Sequence, residues 1–236
     1  MLESLNYNMF FQQMLGSSAN SAGIGGNMVP MSDLSSPAVQ SQLKAAGIDT
    51  GSKQYQTVVK SMMDAGSGGG YVSISALKNR MRRYDKDGDY ISPFSGMAGL
   101  VVTDKNRAEK NRIISIPESS REEMFELTKR EFLRENGVGN GDTTKRTDVY
   151  LNLYRKMPKK DRLAAGNTLD QYERAYTQAF VDAVKAADPK WEPGKQIPFG
   201  ALDGITRESV ESTLVKSGNS LVRKSSASGS ALDLHA

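Results

Sequence analysis

The sequence predicts a mainly α-helical protein, an irregular multi-helix domain with short β segments expected near residues 100–116. Two observations carry this. Apolar residues recur at three- and four-residue intervals along much of the chain, and Ser or Thr caps and Gly or Pro stops bracket those runs. The β-branched runs Leu100–Val102 and Ile113–Ile116 are short with polar flanks, and each reads as an edge strand or an extended packed segment.

The helices follow in order. Ser36 then Pro37 is an N-cap with proline at the first helical position, and Val39, Leu43 and Ala46 share a face until Gly47. Ser52 caps a second helix with Tyr55, Val58, Val59, Met62 and Met63 on its apolar face, ended by Gly66. Ile74, Leu77, Met81 and Tyr84 place a third helix directly before Asp85. Ser120 and Glu123 form a capping-box pattern ahead of Met124, Phe125, Thr128 and Phe132, closed by Asn136-Gly137. Gly137, Gly139 and Gly141 read as a connector, because a nucleotide loop would need a Gly-Lys-Ser/Thr ending and a strand before it.

Asp142 or Thr144 opens the next helix, with Tyr150, Leu153, Tyr154 and Met157 inward and Pro158 as its stop. The strongest pattern is predicted to begin at Thr168, with Gln171 completing a second capping box, and to run to Asp188-Pro189. Trp191 lies in the rigid segment Pro189–Pro193 and is expected to pack over the helices. A last helix is predicted from Thr206 through Val210, Leu214 and Val215 to Gly218.

These boundaries give a helical domain over 36–218 with a sub-boundary near 67–70, preceded by an amphipathic segment at 1–15 and a flexible linker at 16–35. Residues 219–236, rich in Ser, Ala and Gly, read as a disordered tail. Leu2, Leu5, Met9, Phe10, Met14 and Leu15 make residues 2–15 a candidate surface for homo-oligomer contacts. The segment does not read as a cleavable signal, since no basic residue precedes Lys44.

Composition excludes several chemistries. There is no cysteine, so disulfides, thiolate catalysis and cysteine metal sites are absent. The single histidine is His235, next to last in the chain, where nothing supports acid–base work. No apolar run approaches the roughly 20 residues of a membrane span. Against 31 basic residues stand 27 acidic ones, so the surface is mixed rather than cationic. The clusters Lys78, Arg80, Arg82, Arg83 and Lys105, Arg107, Lys110, Arg112 lack interleaved stacking aromatics; they read as solvated or ion-paired helix faces, with no nucleic-acid partner expected.

The run Asp85-Lys86-Asp87-Gly88-Asp89-Tyr90-Ile91-Ser92 resembles EF-hand and dockerin-type calcium loops over about a dozen residues. Asp85, Asp87 and Asp89 are the candidate metal ligands, with the Tyr90 or Ile91 carbonyl as a fourth, and Ca2+ is the implied ion. The loop is one residue short. Tyr90 stands where a regular loop has a positive-φ glycine, Gly96 where it has a bidentate glutamate, and Pro93 interrupts the exit helix. Asp104, Glu109, water or another segment would have to fill the remaining sites of the shell. The run therefore reads either as a weak structural calcium clip or as a turn whose aspartates pair with Arg80, Arg82 or Arg83.

With Leu43-Lys44-Ala45-Ala46-Gly47-Ile48-Asp49-Thr50 followed by Ser52-Lys53-Gln54-Tyr55, the chain resembles uncharacterised bacterial proteins of clostridial type, which have no assigned activity. No catalytic residue follows from that resemblance. The expected function is a non-enzymatic interaction or structural protein, exported or surface-associated, with an unidentified protein partner. Two alternatives stand beside it: a carboxylate-based hydrolase drawing on Asp85, Asp87, Asp89, Glu122 or Glu123, and a filament or appendage subunit using its terminal helices.

Overall fold

The computed structural model describes residues 28–65, 70–104, 106–136 and 143–224. The expectations for 1–15, 16–27, 66–69, Lys105, the glycine-rich 137–142 and the tail from 225, with His235, lie outside the described residues. Two compact units divide the chain, residues 1–89 and 90–236, so the boundary falls after Asp89 rather than near 67–70.

In the first unit, β1 (Met28–Pro30) pairs antiparallel with β2 (Tyr71–Ser73), bringing Val29 opposite Val72 with both buried. Helices α1 (Pro37–Ala45), α2 (Lys53–Asp64) and α3 (Ile74–Met81) start at Ser36, Ser52 and Ser73, each of whose hydroxyls accepts a backbone N–H three residues on. Leu34, Leu43, Tyr55, Val58, Met62 and Leu77 fill the core. The Tyr55 hydroxyl donates to the Leu34 carbonyl at 2.7 Å. This corrects the expected linker over 16–35: residues 28–35 are a strand and a 3-10 turn whose Val29, Met31 and Leu34 are core residues. Burial of these three side chains, together with the pairing of β1 with β2, offsets the chain entropy lost on ordering the segment.

In the second unit, α4 (Arg107–Lys110) is a single turn. The core is built by α5 (Glu118–Glu135), α6 (Thr143–Lys156) and α7 (Arg162–Ala187). A chain of rings runs through it. Phe125 meets Tyr176 edge-on at 5.2 Å and Phe180 at 5.5 Å, while Phe132 lies 5.6 Å from Phe180 and 6.0 Å from Trp191. Trp191 is buried as expected, and its indole N–H donates to the Lys195 carbonyl. Asn136 closes α5 by returning its amide to the Phe132 carbonyl and accepting from Gly194 N–H.

Two helix starts differ from the sequence expectation. Helix α5 starts at Glu118, so Ser120 is a buried first-turn residue rather than a cap. Helix α7 starts at Arg162, and Thr168 lies buried inside it, its hydroxyl donating to the Ala164 carbonyl at 2.8 Å. The turn before Thr168 shows no apolar period because Ala164, Ala165 and Gly166 are small where α6 crosses; a Cβ on Gly166 would meet the Tyr154 oxygen at 2.5 Å.

The last helix, α8 (Arg207–Glu211), is only five residues long. Leu214 and Val215 leave it for the hairpin of β3 (Leu214–Ser217) and β4 (Ser220–Arg223), which turns at Gly218 with φ +58°. Gly-Asn between two short apolar runs is hairpin chemistry, and Val215 pairs across with Val222. Residues 220–223 are thus strand, not tail. The short β segments exist but not at 100–116, where Ile113 and Ile116 are buried as extended chain and Ile114 N–H donates to Thr168 Oγ1.

Candidate functional site

The acidic loop closes on itself. Asp85 Oδ1 accepts the backbone N–H groups of Asp87 and Asp89, each at 2.9 Å. The Asp85 N–H donates to the Asp89 carbonyl and the Gly88 N–H to the Asp85 carbonyl, also at 2.9 Å. Helix α2 supports the loop: Gln54 donates to the Tyr84 carbonyl at 2.6 Å. In this arrangement one carboxylate oxygen from each of Asp85, Asp87 and Asp89 lies within 4.8 Å of the other two, with Asp85 partly covered and the others exposed.

The positive φ falls on Gly88, at +82°, and no non-glycine among the described residues has one. Tyr90 therefore keeps an ordinary backbone, which means the chain leaves the path of a regular calcium loop at the position where that loop uses glycine. Tyr90 and Ile91, the proposed carbonyl ligands, open the second unit, where Ile91 forms a lone bridge with Ala98. Asp104 and Glu109 pair there with Arg107 and Arg112, each at 3.2 Å. Arg112 also reaches Asp161 at 2.7 Å, an ion-paired surface of the kind expected for that basic cluster.

Gly88 also packs tightly, since a Cβ would lie 2.5 Å from Thr57 Oγ1 and 3.1 Å from the Lys53 carbonyl. Gly88→Ala is expected to cost the first unit about 1–3 kcal/mol through backbone strain and displacement of α2. Circular dichroism against urea reads this, and an unchanged midpoint would show that the loop does not lean on α2 as described.

Two ionic clusters in the second unit escape any sequence pattern, because their members are far apart in the chain. The covered guanidinium of Arg207 bonds Glu118 (2.7 Å), Glu122 (2.6 Å), Glu208 (2.5 Å) and Glu211 (3.0 Å). Glu211 also accepts from Arg121 and, at 2.6 Å, from the Tyr176 hydroxyl. Glu123 accepts from Asn152 at 3.1 Å. Glu122 and Glu123, candidates for a hydrolytic pair, thus each hold a neighbouring helix.

In the second cluster Arg146 on α6 bonds both Glu131 on α5 and Glu173 on α7, and Tyr150 donates to Glu173 at 3.2 Å. Burial raises the Glu173 carboxyl above its usual range against the lowering influence of Arg146, and burial together with the Glu173 charge raises the Tyr150 phenol.

Together these features define a mainly α-helical protein of two compact units, with short strand pairs and an acidic loop at the end of the first. The chain belongs to the family described as Domain of unknown function (DUF3879), which matches residues 48–236. No curated protein and no solved structure matches it. No helix among the described residues is long and apolar enough to cross a membrane.

Proposed function

We propose that this is a non-enzymatic interaction or structural protein whose acidic loop holds a divalent cation weakly, as a structural clip. The observation that carries this reading is the convergence of one oxygen each from Asp85, Asp87 and Asp89 within 4.8 Å. Like charges repel at that spacing, and a hard cation is the partner that turns the repulsion into ligation. Because the loop lacks the bidentate glutamate, water completes the shell and affinity stays in the range of extracellular modules, about 10⁻⁴ to 10⁻³ M. Such a range suits a protein exported or displayed at a bacterial surface, where calcium is abundant, and does not suit a cytosolic sensor.

Calorimetric titration with calcium chloride tests the clip. Heat with a dissociation constant near 1 mM is expected, and Asp87→Asn and Asp89→Asn should each remove it. Silence up to about ten times that concentration would overturn the reading. Cell fractionation tests the location, and protein found solely in cytosol would overturn export.

A further inference from the structure

The ionic cluster between α5, α6 and α7 is unbalanced. Two carboxylates, Glu131 and Glu173, share the guanidinium of Arg146. Glu131 Oε2 and Glu173 Oε1 take its two ends, and the Tyr150 hydroxyl serves Glu173 Oε2. The remaining oxygen, Glu131 Oε1, is buried without a hydrogen-bond donor among the described residues, in a side chain only 8% exposed. With both carboxylates ionised, the cluster carries one net negative charge beneath three helices. Asp170 on α7 adds to it and is partly offset by Arg174 at 2.8 Å, while Tyr154 is the remaining titratable neighbour on α6.

A buried carboxylate oxygen normally finds a donor, and leaving one without costs about 1–3 kcal/mol. A proton is a ligand small enough to reach an oxygen with no exposed surface. It also removes the excess charge. We propose that the Glu131–Arg146–Glu173 cluster is a proton-linked clasp, which takes up one proton on mild acidification and thereby tightens α6 onto α5 and α7. Arg146 stays charged throughout, and Tyr150 stays protonated because burial raises its phenol.

The direction of the pH effect follows from linkage. The Glu173 carboxyl is raised by burial above its usual 4.5, so its contribution to stability is complete below 4.5 and disappears as pH climbs through the folded value. The cluster therefore makes the second unit more stable in mild acid than at neutral pH, opposite to most paired carboxylates. Asp182 and Glu208 are lowered instead, and their contributions disappear only on acidification below 3.8 and 4.5. Between about pH 5 and 8 the clasp is the feature that is read.

Trp191, the single tryptophan, is buried against Phe132 on α5 and reports unfolding of this unit. Urea unfolding of the full chain by Trp191 fluorescence is expected to show its midpoint at a higher urea concentration at pH 5 than at pH 8. Glu131→Gln and, separately, Glu173→Gln should flatten that dependence. Carboxyl-carbon NMR of the unmutated protein should show a glutamate titrating above 4.5. Equal or greater stability at pH 8, or no such titration, overturns the clasp even where the variants fail to fold.

Discussion

Phe180→Ala is expected to cost the second unit about 3–5 kcal/mol, a large share of the 5–15 kcal/mol that holds a typical domain. Phe180 has no exposed surface and touches Phe125 and Phe132 at ring separations of 5.5 and 5.6 Å. Removing its ring leaves a void between α5 and α7 that neighbouring helices, already close-packed, refill only in part. Phe180→Leu should cost less, about 1–2 kcal/mol, since it keeps more of the apolar volume. Phe199→Ala is the control: Phe199 is fully exposed, so its loss should shift the urea midpoint very little. A cost below about 1 kcal/mol for Phe180→Ala would show that the ring chain is not the core of this unit.

Arg207→Ala has the second-largest expected effect, about 2–4 kcal/mol. Its guanidinium is 6% exposed and gathers four carboxylates that would otherwise face one another at the start of α5 and along α8. Three of those carboxylates are half or more exposed and stay hydrated, which keeps the loss below that of a fully buried network. Glu211, 13% exposed, would keep Arg121 and the Tyr176 hydroxyl. Arg207→Lys should recover only part of the stability, because an ammonium cannot replace a planar fork that serves four acceptors. High salt should narrow the gap between Arg207→Ala and the unmutated chain by screening the released glutamates. Urea unfolding followed by Trp191 fluorescence reads all of this, and an Arg207→Ala midpoint equal to the unmutated one would refute the network's structural weight.

Local chemistry carries over best from sequence to structure. The caps at Ser36, Ser52 and Ser73 are set by side chains that bond the next turn of their own helix, so nothing distant was needed to form them. The cap at Ser73 carries no mark in the apolar period, which begins only at Ile74. The mainly helical class was legible for the same reason, since a period near 3.6 survives in short windows. The start of α7 was not legible: Ala164, Ala165 and Gly166 break the apolar period, and their small size answers to Tyr154 on another helix. Leu214 and Val215 fit a helical period as well as an alternating one, and pairing with β4 decided between them.

For the acidic loop, the three aspartates and their alternation were visible directly, and so was the missing glutamate. That Asp85 uses one oxygen to hold the loop's own backbone, and that Gly88 rather than Tyr90 takes the positive φ, depended on how the loop rests on Lys53 and Thr57. The sequence by itself determined the helical class, the absence of cysteine, the single histidine at position 235, and the three alternating aspartates. Tertiary structure alone decided the hairpin after α8, the division after Asp89, and the pairing of Arg146 and Arg207 with glutamates up to 89 residues away. Caps and periods arise from contacts within a turn or two. Ion clusters and strand pairs exist only once distant segments have been brought together, and no short window of sequence records that meeting.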